Sequence, residues 1–398
     1  MALNSYFKGV LAVALSLFSL VTFAQTDPET VYFHAWGGSP QINQYIDWVG
    51  EEVKRTHGIR LKHVKLSNTS DAVTLVLTQK ASNKTTGTVD LIWLNGENFA
   101  SMAEHDLLLK SWAEDLPNFR LTNALDNGDI TYDFGVSTLG RESPWGRASL
   151  VFYYNSEHLA VPPSDINSLL AWANMVPYRF TYPHVDDFIG ISFVKYALLA
   201  LNQNSNSESD TELLFKPYDE EAFNRVTKPL WQYLDKLHPV MWRNGQFFVK
   251  DSGWLKRLFD DEEILLSYTF SAGEIPSAVE RFELPKATRS YFMEDGSLSN
   301  VHFVTIPFNA PNAEGAKIVA NFLLSPVAQA KKSQPSVWGD ATVLDLTVLN
   351  KKQQSLFLSD SRHPSSASHN KNTKKLKELH PTWVVPLKQA WKARYDNQ

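Results

Sequence analysis

A strand, a sharp turn and the start of a helix are predicted by the stretch Val31-Tyr32-Phe33-His34-Ala35-Trp36-Gly37-Gly38-Ser39-Pro40. Residues 31–36 are mostly apolar, and two glycines end the run. Ser39 suits a helix N-cap, with Pro40 at the first helical position. Apolar residues then recur at helical spacing until Gly58. The stretch therefore predicts a buried strand that leads directly into an amphipathic helix.

The next residues repeat this order. Residues 59–66 alternate like a strand, residues 71–80 follow a polar cluster that can cap a second helix, and residues 89–94 form another apolar run. Strand, helix, strand, helix, strand favours parallel crossovers in a doubly wound sheet. In such sheets ligands bind outside the carboxyl ends of the strands. Those ends are predicted at Trp36-Gly37-Gly38 and Asn95-Gly96-Glu97-Asn98.

A second α/β unit is predicted from about residue 148. A strand at 148–154 is followed by Pro162 and Pro163, after which Ser164 can cap a helix. Further helices fit residues 188–201 and 220–237, with strands at 180–183 and 264–270. The chain thus predicts two α/β layers in succession.

The amino terminus predicts export. Lys8 precedes an apolar run of about 15 residues that ends near Ala24, which is typical of a signal peptide, whereas a spanning helix needs about 20. Removing residues 1–24 changes the formal net charge from −5 to −6, because Lys8 is the charged residue of that segment. A mildly acidic surface gives no electrostatic reason to expect a nucleic-acid partner.

Cysteine is absent from the sequence. This excludes disulfides, thiolate metal sites, a cysteine nucleophile and a lipid attached to cysteine. No cofactor is predicted, and stability must come from packing.

Three stretches in order resemble the family 1 extracellular solute-binding proteins of ABC transporters. They are residues 31–38, the Ser143-Pro144-Trp145-Gly146 segment that leads into residues 150–155, and residues 306–326 from Ile306-Pro307-Phe308 to Ser325-Pro326. Within this family, the chain is most similar to the YnjB-type branch at residues 93–99, which read Trp93-Leu94-Asn95-Gly96-Glu97-Asn98-Phe99. The resemblance implies the type II periplasmic-binding fold, in which two doubly wound α/β lobes joined by a hinge close on a solute.

The resemblance also implies the domain plan and the partners. Residues 1–24 are expected as signal peptide, 25–148 and 299–335 as lobe 1, and 149–298 and 336–398 as lobe 2. The mature protein is expected in the periplasm as a monomer that delivers its solute to an ABC permease and its ATPase. It is not expected to be an enzyme.

Two tryptophans are candidates for stacking on an organic solute. Trp36 and Trp145 both lie in segments that carry the resemblance, and an aromatic face also attracts cations. Packing at a strand end or at the hinge explains either residue equally well. The glycines beside them, Gly37 and Gly38, suit a tight turn or close approach of a ligand.

Polar candidates follow strands in both units. Asn95, Glu97 and Asn98, next to Gly96, can bind a polar solute or cap the helix that follows. In the second unit the candidates are Asp187, Phe188, Tyr268, Ser271 and Glu274. Amides near Ser271 suit an anion and Glu274 opposes one, so the charge of the solute stays open.

Three other functions compete with this prediction. Adjacent Tyr153 and Tyr154 suggest a ferric-iron binder, but neighbouring residues of a strand point to opposite faces. A secreted hydrolase lacks support, because neither a Gly-x-Ser-x-Gly elbow nor a His-Glu-x-x-His helix is present. His184 near Asp187 is the one pair that suggests acid–base chemistry. A binding protein that serves a sensor in place of a permease fits the same sequence.

Overall fold

The structure is a computed structural model. It describes residues 29–94, 96–125, 128–204, 208–357, 363–367 and 374–396. The predicted signal peptide, residues 1–24, and the candidate Asn95 lie outside the described residues.

The described residues alternate strands and helices along the chain. The strands are β1 Thr30–Trp36, β2 Arg60–Leu66, β3 Leu91–Leu94, β4 Tyr132–Asp133, β5 Val136–Ser137, β6 Glu142–Ser149, β7 Val151–Asn155, β8 Leu266–Thr269, β9 Thr288–Tyr291, β10 Ser297–Thr305 and β11 Lys375–Leu376. The helices are α1 Pro40–His57, α2 Thr69–Ala81, α3 Gly96–Glu104, α4 Ile166–Met175, α5 Phe188–Asn204, α6 Glu208–Leu213, α7 Glu220–Val226, α8 Lys228–Leu237, α9 Ser252–Asp260, α10 Glu274–Glu280, α11 Ala313–Leu323, α12 Pro326–Ser333, α13 Lys351–Gln354 and α14 Val384–Tyr395.

The first sheet confirms the predicted parallel core. Its order is β11-β10-β3-β1-β2, with β6 also paired to β10. β1 pairs in parallel with both β2 and β3. Pro40 begins α1, Gly58 ends it with a left-handed backbone, and the Asn68 side chain caps α2 by accepting from the Ser70 amide. Local signals therefore set this part of the fold.

The second sheet is smaller and antiparallel. β7 lies between β8 and β9, and both pairings are antiparallel. The predicted strand at 180–183 is wrong: these residues are in no assigned strand, although the Phe180 carbonyl accepts from the Trp242 amide. The predicted helix at 220–237 is divided into α7 and α8, because Lys228 and Pro229 start a new helical turn.

Two strands connect the two halves of the molecule. β6 and β10 pair in antiparallel register from Glu142 with Thr305 to Ser149 with Ser299. At one end Phe303 lies in the hydrophobic cluster of the first sheet, and at the other Leu298 lies in the cluster of the second sheet. This ribbon is the physical link expected of a hinge.

In the last part of the chain, the first lobe extends further than the predicted boundary between the lobes. Trp338, Val343 and Leu349 are buried in the cluster of the first sheet, although residues 336–398 were expected in lobe 2. Only the later residues, such as Trp383 and Trp391, lie in the cluster of the second sheet. The reason is that residues 338–349 follow α12 directly and stay beside it. Below, "first lobe" and "second lobe" mean the residues packed around these two clusters.

In the part of the chain that the structure describes, no helix has the length and apolar character needed to span a lipid bilayer.

Candidate functional site

A short hairpin of the first lobe reaches the second lobe. Phe134 and Gly135, both with positive φ, form the turn between β4 and β5. The Asp133 carboxylate accepts a hydrogen bond of 2.6 Å from the Gly96 amide at the start of α3. A Cβ on Gly96 would lie 2.7 Å from Cγ of Phe134, so only glycine permits this approach. The hairpin is thereby fixed over the carboxyl end of β3.

A buried ion pair lies against the tip of this hairpin. The Nζ atom of Lys195, on α5, donates to a Glu378 carboxylate oxygen at 2.6 Å, and both side chains are buried. The same Nζ lies 5.1 Å from the ring centroid of Phe134 and 5.8 Å from that of Phe188. An ammonium group is therefore held between an aromatic ring of each lobe.

Glu142 is a second buried carboxyl group of the first lobe, near Asp133. It is the first residue of β6, opposite Thr305, and is 1% exposed. Burial, and then the charge of Asp133, raises the pKa of Glu142 well above its usual value. Burial also raises the pKa of Asp133; the Gly96 amide opposes this rise and Glu378 adds to it. Asp133 therefore interacts electrostatically with both Glu142 and Glu378.

A second buried polar cluster lies beside the hinge strands. Asp340 contacts Nε2 of His302 at 3.0 Å and forms an ion pair with Lys332. Burial alone would raise the pKa of Asp340, but His302 and Lys332 together hold it below its usual value. Gly146 on β6 faces this cluster, and a Cβ there would collide with Asp340 and His302. The cluster fixes the loop after α12 against the hinge.

The predicted loop after β1 has the expected tight backbone. The Gly37 amide donates to the Leu66 carbonyl at 3.0 Å, and its carbonyl accepts from the Asn43 side chain. A Cβ on Gly38 would lie 2.6 Å from Cε2 of Trp36, because the indole ring covers this glycine. Trp36 is partly buried against the first cluster. The structure describes the turn, and contact of Trp36 with a solute stays a prediction.

Trp145 has a packing role in this structure. Its side chain is 0% exposed, and its ring centroid lies within 6.4 Å of those of Phe33, Tyr45, Trp93 and Trp338. This ring is unavailable to a solute here. Of the two explanations that the sequence left open for Trp145, the geometry favours core packing.

The candidate residues at the start of α3 lie in different environments. Gly96 is buried at the hairpin, whereas Glu97 is exposed in the first turn of α3 and Asn98 is half-buried. Glu97 therefore also suits the helix N-terminus, as the alternative explanation holds.

Of the candidates in the second lobe, Phe188 lies at the junction. It is 42% exposed and contacts Phe270 as well as the Lys195 ammonium. Asp187 instead accepts a hydrogen bond of 2.8 Å from the Ile189 amide at the start of α5. Burial raises the pKa of Asp187.

The remaining candidates make internal contacts. The Tyr268 hydroxyl donates to the Ile189 carbonyl at 3.0 Å inside the second core. The Ser271 amide donates to the Thr269 hydroxyl, which itself donates to Glu274 at 2.9 Å. Because the Ser271 amide already has this partner, it is not the free anion donor that the sequence suggested.

The competing functions gain no support from the geometry. Tyr153 contacts Phe259 and Tyr154 contacts Tyr291, so the two rings do not converge. His184 pairs with Asp396 at 2.9 Å and not with Asp187. Among the residues that the structure describes, no group of three or more His, Asp or Glu side chains is placed to hold a metal ion.

Sequence reasoning missed the junction residues Asp133, Phe134, Lys195 and Glu378, and also Glu142 at the first-lobe end of β6. One signal was available for Lys195, the single charged residue in the stretch 188–201. Glu142 directly precedes the Ser143-Pro144-Trp145-Gly146 segment, which also marks it. Nothing in the sequence near Glu378 distinguishes it from other charges of the carboxyl-terminal region.

Comparison with known proteins defines the class. The model of the bacterial extracellular solute-binding protein family matches residues 48–354. The chain belongs to this family of solute-binding proteins, which confirms the resemblance seen in the sequence.

A relative of the expected branch is Protein YnjB of Escherichia coli (strain K12). It is 41% identical over 396 residues, which cover 97% of this chain and 98% of YnjB. Solved structures share the fold. The Streptococcus pneumoniae PotD structure has a TM-score of 0.59 at 13% identity, covering 93% of this chain and 99% of PotD. The Actinobacillus pleuropneumoniae AfuA structure has a TM-score of 0.61 at 13% identity, with the same coverage. The two-lobed periplasmic-binding fold is therefore confirmed.

Proposed function

We propose that this protein captures a small polar organic solute between its two lobes and delivers it to an ABC permease and its ATPase in the inner membrane. The family supports the solute-binding role. The observation that carries the proposal is the set of charged and aromatic side chains buried where the two lobes meet, with Phe134 from one lobe and Lys195 from the other. A solute drives closure only through its higher affinity for the closed state, so groups contributed by both lobes are required.

The proposal includes a mature monomer of residues 25–398 in the periplasm, after signal-peptide cleavage near Ala24. It assigns no catalytic step to the chain. Solute contacts of Trp36, Gly37, Gly38, Glu97 and Asn98 are part of it.

Two proteins of the same fold are described with different ligands. PotD is described as a spermidine/putrescine ABC transporter substrate-binding protein, and AfuA was solved with fructose-6-phosphate. One ligand is a cation and the other an anion. The fold therefore supports small solutes of either charge, and the side chains of this chain must select between them.

A thermal-shift screen of residues 25–398 tests the binding function. The library contains sugars, polyamines, thiamine-like cations, amino acids and metal ions. Binding to the native state alone stabilises it by about 2.7 kcal/mol at 100-fold excess over the dissociation constant, which shifts the midpoint by a few degrees. Small-angle scattering with the best ligand should show a more compact molecule. If no solute stabilises the protein or compacts it, the proposed function is wrong.

Delivery to a permease needs a separate test. Cells that lack this protein should lose uptake of the radiolabelled solute and regain it when the chain is restored. Normal uptake without the chain, together with tight binding in vitro, would point to a sensor as the partner.

A further inference from the structure

A group of aromatic and basic side chains lies together on the surface of the second lobe. The ring centroids of Trp242 and Phe247 lie 6.0 Å apart, and those of Phe247 and Trp254 lie 5.5 Å apart. The guanidinium carbon of Arg243 lies 4.4 Å from the Trp242 centroid and 5.6 Å from that of Phe247. Phe247 is 38% exposed and Trp254 is 39% exposed. These four residues, and Arg257 one helical turn after Trp254 on α9, form the aromatic–basic patch.

The backbone holds Arg243 over these rings in a strained turn. Arg243 and Asn244 both have left-handed backbone angles, with φ of 51° and 59°, which are uncommon for residues that carry a side chain. Trp242 is fixed beneath them, because its indole nitrogen donates to Glu263 at 2.7 Å and its amide donates to the Phe180 carbonyl at 2.8 Å. Strained residues of this kind concentrate at functional sites.

The basic groups of the aromatic–basic patch have no acidic partner in the part of the chain that the structure describes. No described carboxylate forms an ion pair with Arg243 or Arg257. The Asp251 carboxylate caps α9 by accepting from a backbone amide at 2.9 Å, and the Glu263 carboxylate accepts from the indole of Trp242. The whole sequence has a formal net charge of −5, so the patch is a basic area on an acidic molecule. It therefore offers positive charge to a partner outside the chain.

The aromatic–basic patch is connected to a helix that contacts the other lobe. Lys256, on α9, donates at 3.4 Å to Glu274, the first residue of α10. α10 contacts the first lobe at both ends: Gly273 packs on the loop after α12, and Arg281 contacts the Gln41 side chain. The way in which the lobes close therefore sets the distance between the patch and the first lobe.

Charge disfavours two kinds of partner for this patch. An anionic bilayer repels a molecule whose net charge is negative, and one small basic area opposes that repulsion only weakly. In a symmetric pair of copies the patch would face itself, which would bring two Arg243 guanidinium groups together. A protein surface that carries exposed Asp or Glu has neither cost. Trp and Arg are also the residues that most often dominate the binding energy of protein interfaces.

We propose that the aromatic–basic patch is the surface by which the second lobe docks on an acidic periplasmic surface of the ABC permease. This inference rests on the proposed function and names the contact through which the solute is delivered. Arg243 and Arg257 bind carboxylates of the permease, and Phe247 and Trp254 fill the apolar centre of the contact. Because α9 is paired to α10, closure of the lobes fixes the spacing between the patch and the first lobe, and the permease thereby distinguishes the closed form.

The experiment measures binding of residues 25–398 to the permease–ATPase complex that imports the solute in the uptake test, purified and placed in lipid nanodiscs. Arg257→Glu reverses a charge on a regular helix, and Trp254→Ala removes an exposed ring. Each should weaken binding by about 10-fold or more, the loss expected of an interface hot spot. Wild-type affinity should fall as salt is raised, because salt screens exposed charges, and Arg257→Glu should reduce this dependence.

Matched controls lie outside the patch on the same lobe. Phe215 is 37% exposed and Lys216 beside it is exposed, so Phe215→Ala and Lys216→Glu repeat the same chemical changes. Both controls should bind the permease complex like the wild type. Every variant should keep the solute affinity of the wild type, which shows that it is folded and that the patch acts only on docking.

Uptake in cells tests the charge of the partner. Arg257→Glu should reduce uptake of the radiolabelled solute although the purified variant binds that solute normally. Permease variants in which lysine replaces an acidic surface residue should restore this uptake, as charge complementarity requires.

The outcomes are distinguishable. Wild-type binding of the permease complex by both Arg257→Glu and Trp254→Ala overturns the inference and leaves the proposed function standing. Binding to empty nanodiscs of anionic lipid that depends on the same residues assigns the patch to the membrane and also overturns it, as does a dimer that the same variants abolish. Absence of binding between the wild type and the permease complex overturns both the inference and the delivery step of the proposed function.

Discussion

Gly273→Ala should prevent full closure of the two lobes. Gly273 lies at the N-cap of α10 in the second lobe, opposite Gly339 in the loop after α12 of the first lobe. A Cβ on Gly273 would lie 2.5 Å from the Trp338 carbonyl oxygen and 2.8 Å from the Gly339 carbonyl carbon. Its own backbone, with φ of −78° and ψ of −13°, accepts alanine without strain. The substitution therefore acts on the contact between lobes and not on the helix.

The expected magnitude follows from this overlap. Ordinary Cβ contacts begin near 3.4 Å, so the two segments must separate by roughly 1 Å, against backbone atoms that cannot rotate away. Overpacking of this kind costs about 1–3 kcal/mol. If that cost falls on the closed state alone, solute affinity should decrease by about 5-fold to 150-fold.

Calorimetry with the best ligand of the screen measures the affinity, and small-angle scattering measures closure. Gly253→Ala is the matched control: it also lies early in a helix of the second lobe, but its Cβ would approach only an Asp251 oxygen, at 3.4 Å. The melting midpoint without ligand should stay near the wild-type value for both variants. Wild-type affinity and normal compaction in Gly273→Ala would refute the reasoning.

Two further predictions concern stability. Lys332→Ala should destabilise the protein by about 3–5 kcal/mol in urea unfolding, because Asp340 then stays buried without its lysine and with only the His302 ring beside it. Lys331→Ala should have a small effect. Equal effects of the two lysine variants would contradict this account. Burial lowers the pKa of His238 to about 4, so the unfolded chain binds a proton that the folded chain does not between about pH 6.5 and pH 4. The contribution of His238 to the free energy of unfolding should be fully present above this window and should fall by roughly 3 kcal/mol on acidification through it. His238→Gln should flatten the slope of the unfolding free energy against pH. An unchanged slope would show that His238 is not the cause.

Much of the first lobe could be predicted from local sequence. Pro40, Gly58 and Asn68 mark helix ends through backbone conformation and capping, which act within a few residues. The alternation of strands and helices then favours parallel pairing, as observed between β1 and its two neighbours. The loop after β1 was therefore located from sequence alone.

Local sequence could not decide which tryptophan is buried. Trp36 and Trp145 each stand beside glycines in segments of similar appearance. Trp145 is enclosed because strand β6 pairs with β10 and brings it against Trp93 and Trp338. That pairing joins residues more than a hundred positions apart, which no local pattern encodes.

The sequence by itself determined the class of fold and the family, because each depends on short-range patterns in a fixed order. Only the tertiary structure decided the junction, where Lys195 pairs with Glu378 close to Asp133 of the hairpin. Each is an ordinary charged residue in its own segment. Their contacts arise only when the hinge strands bring the two lobes together.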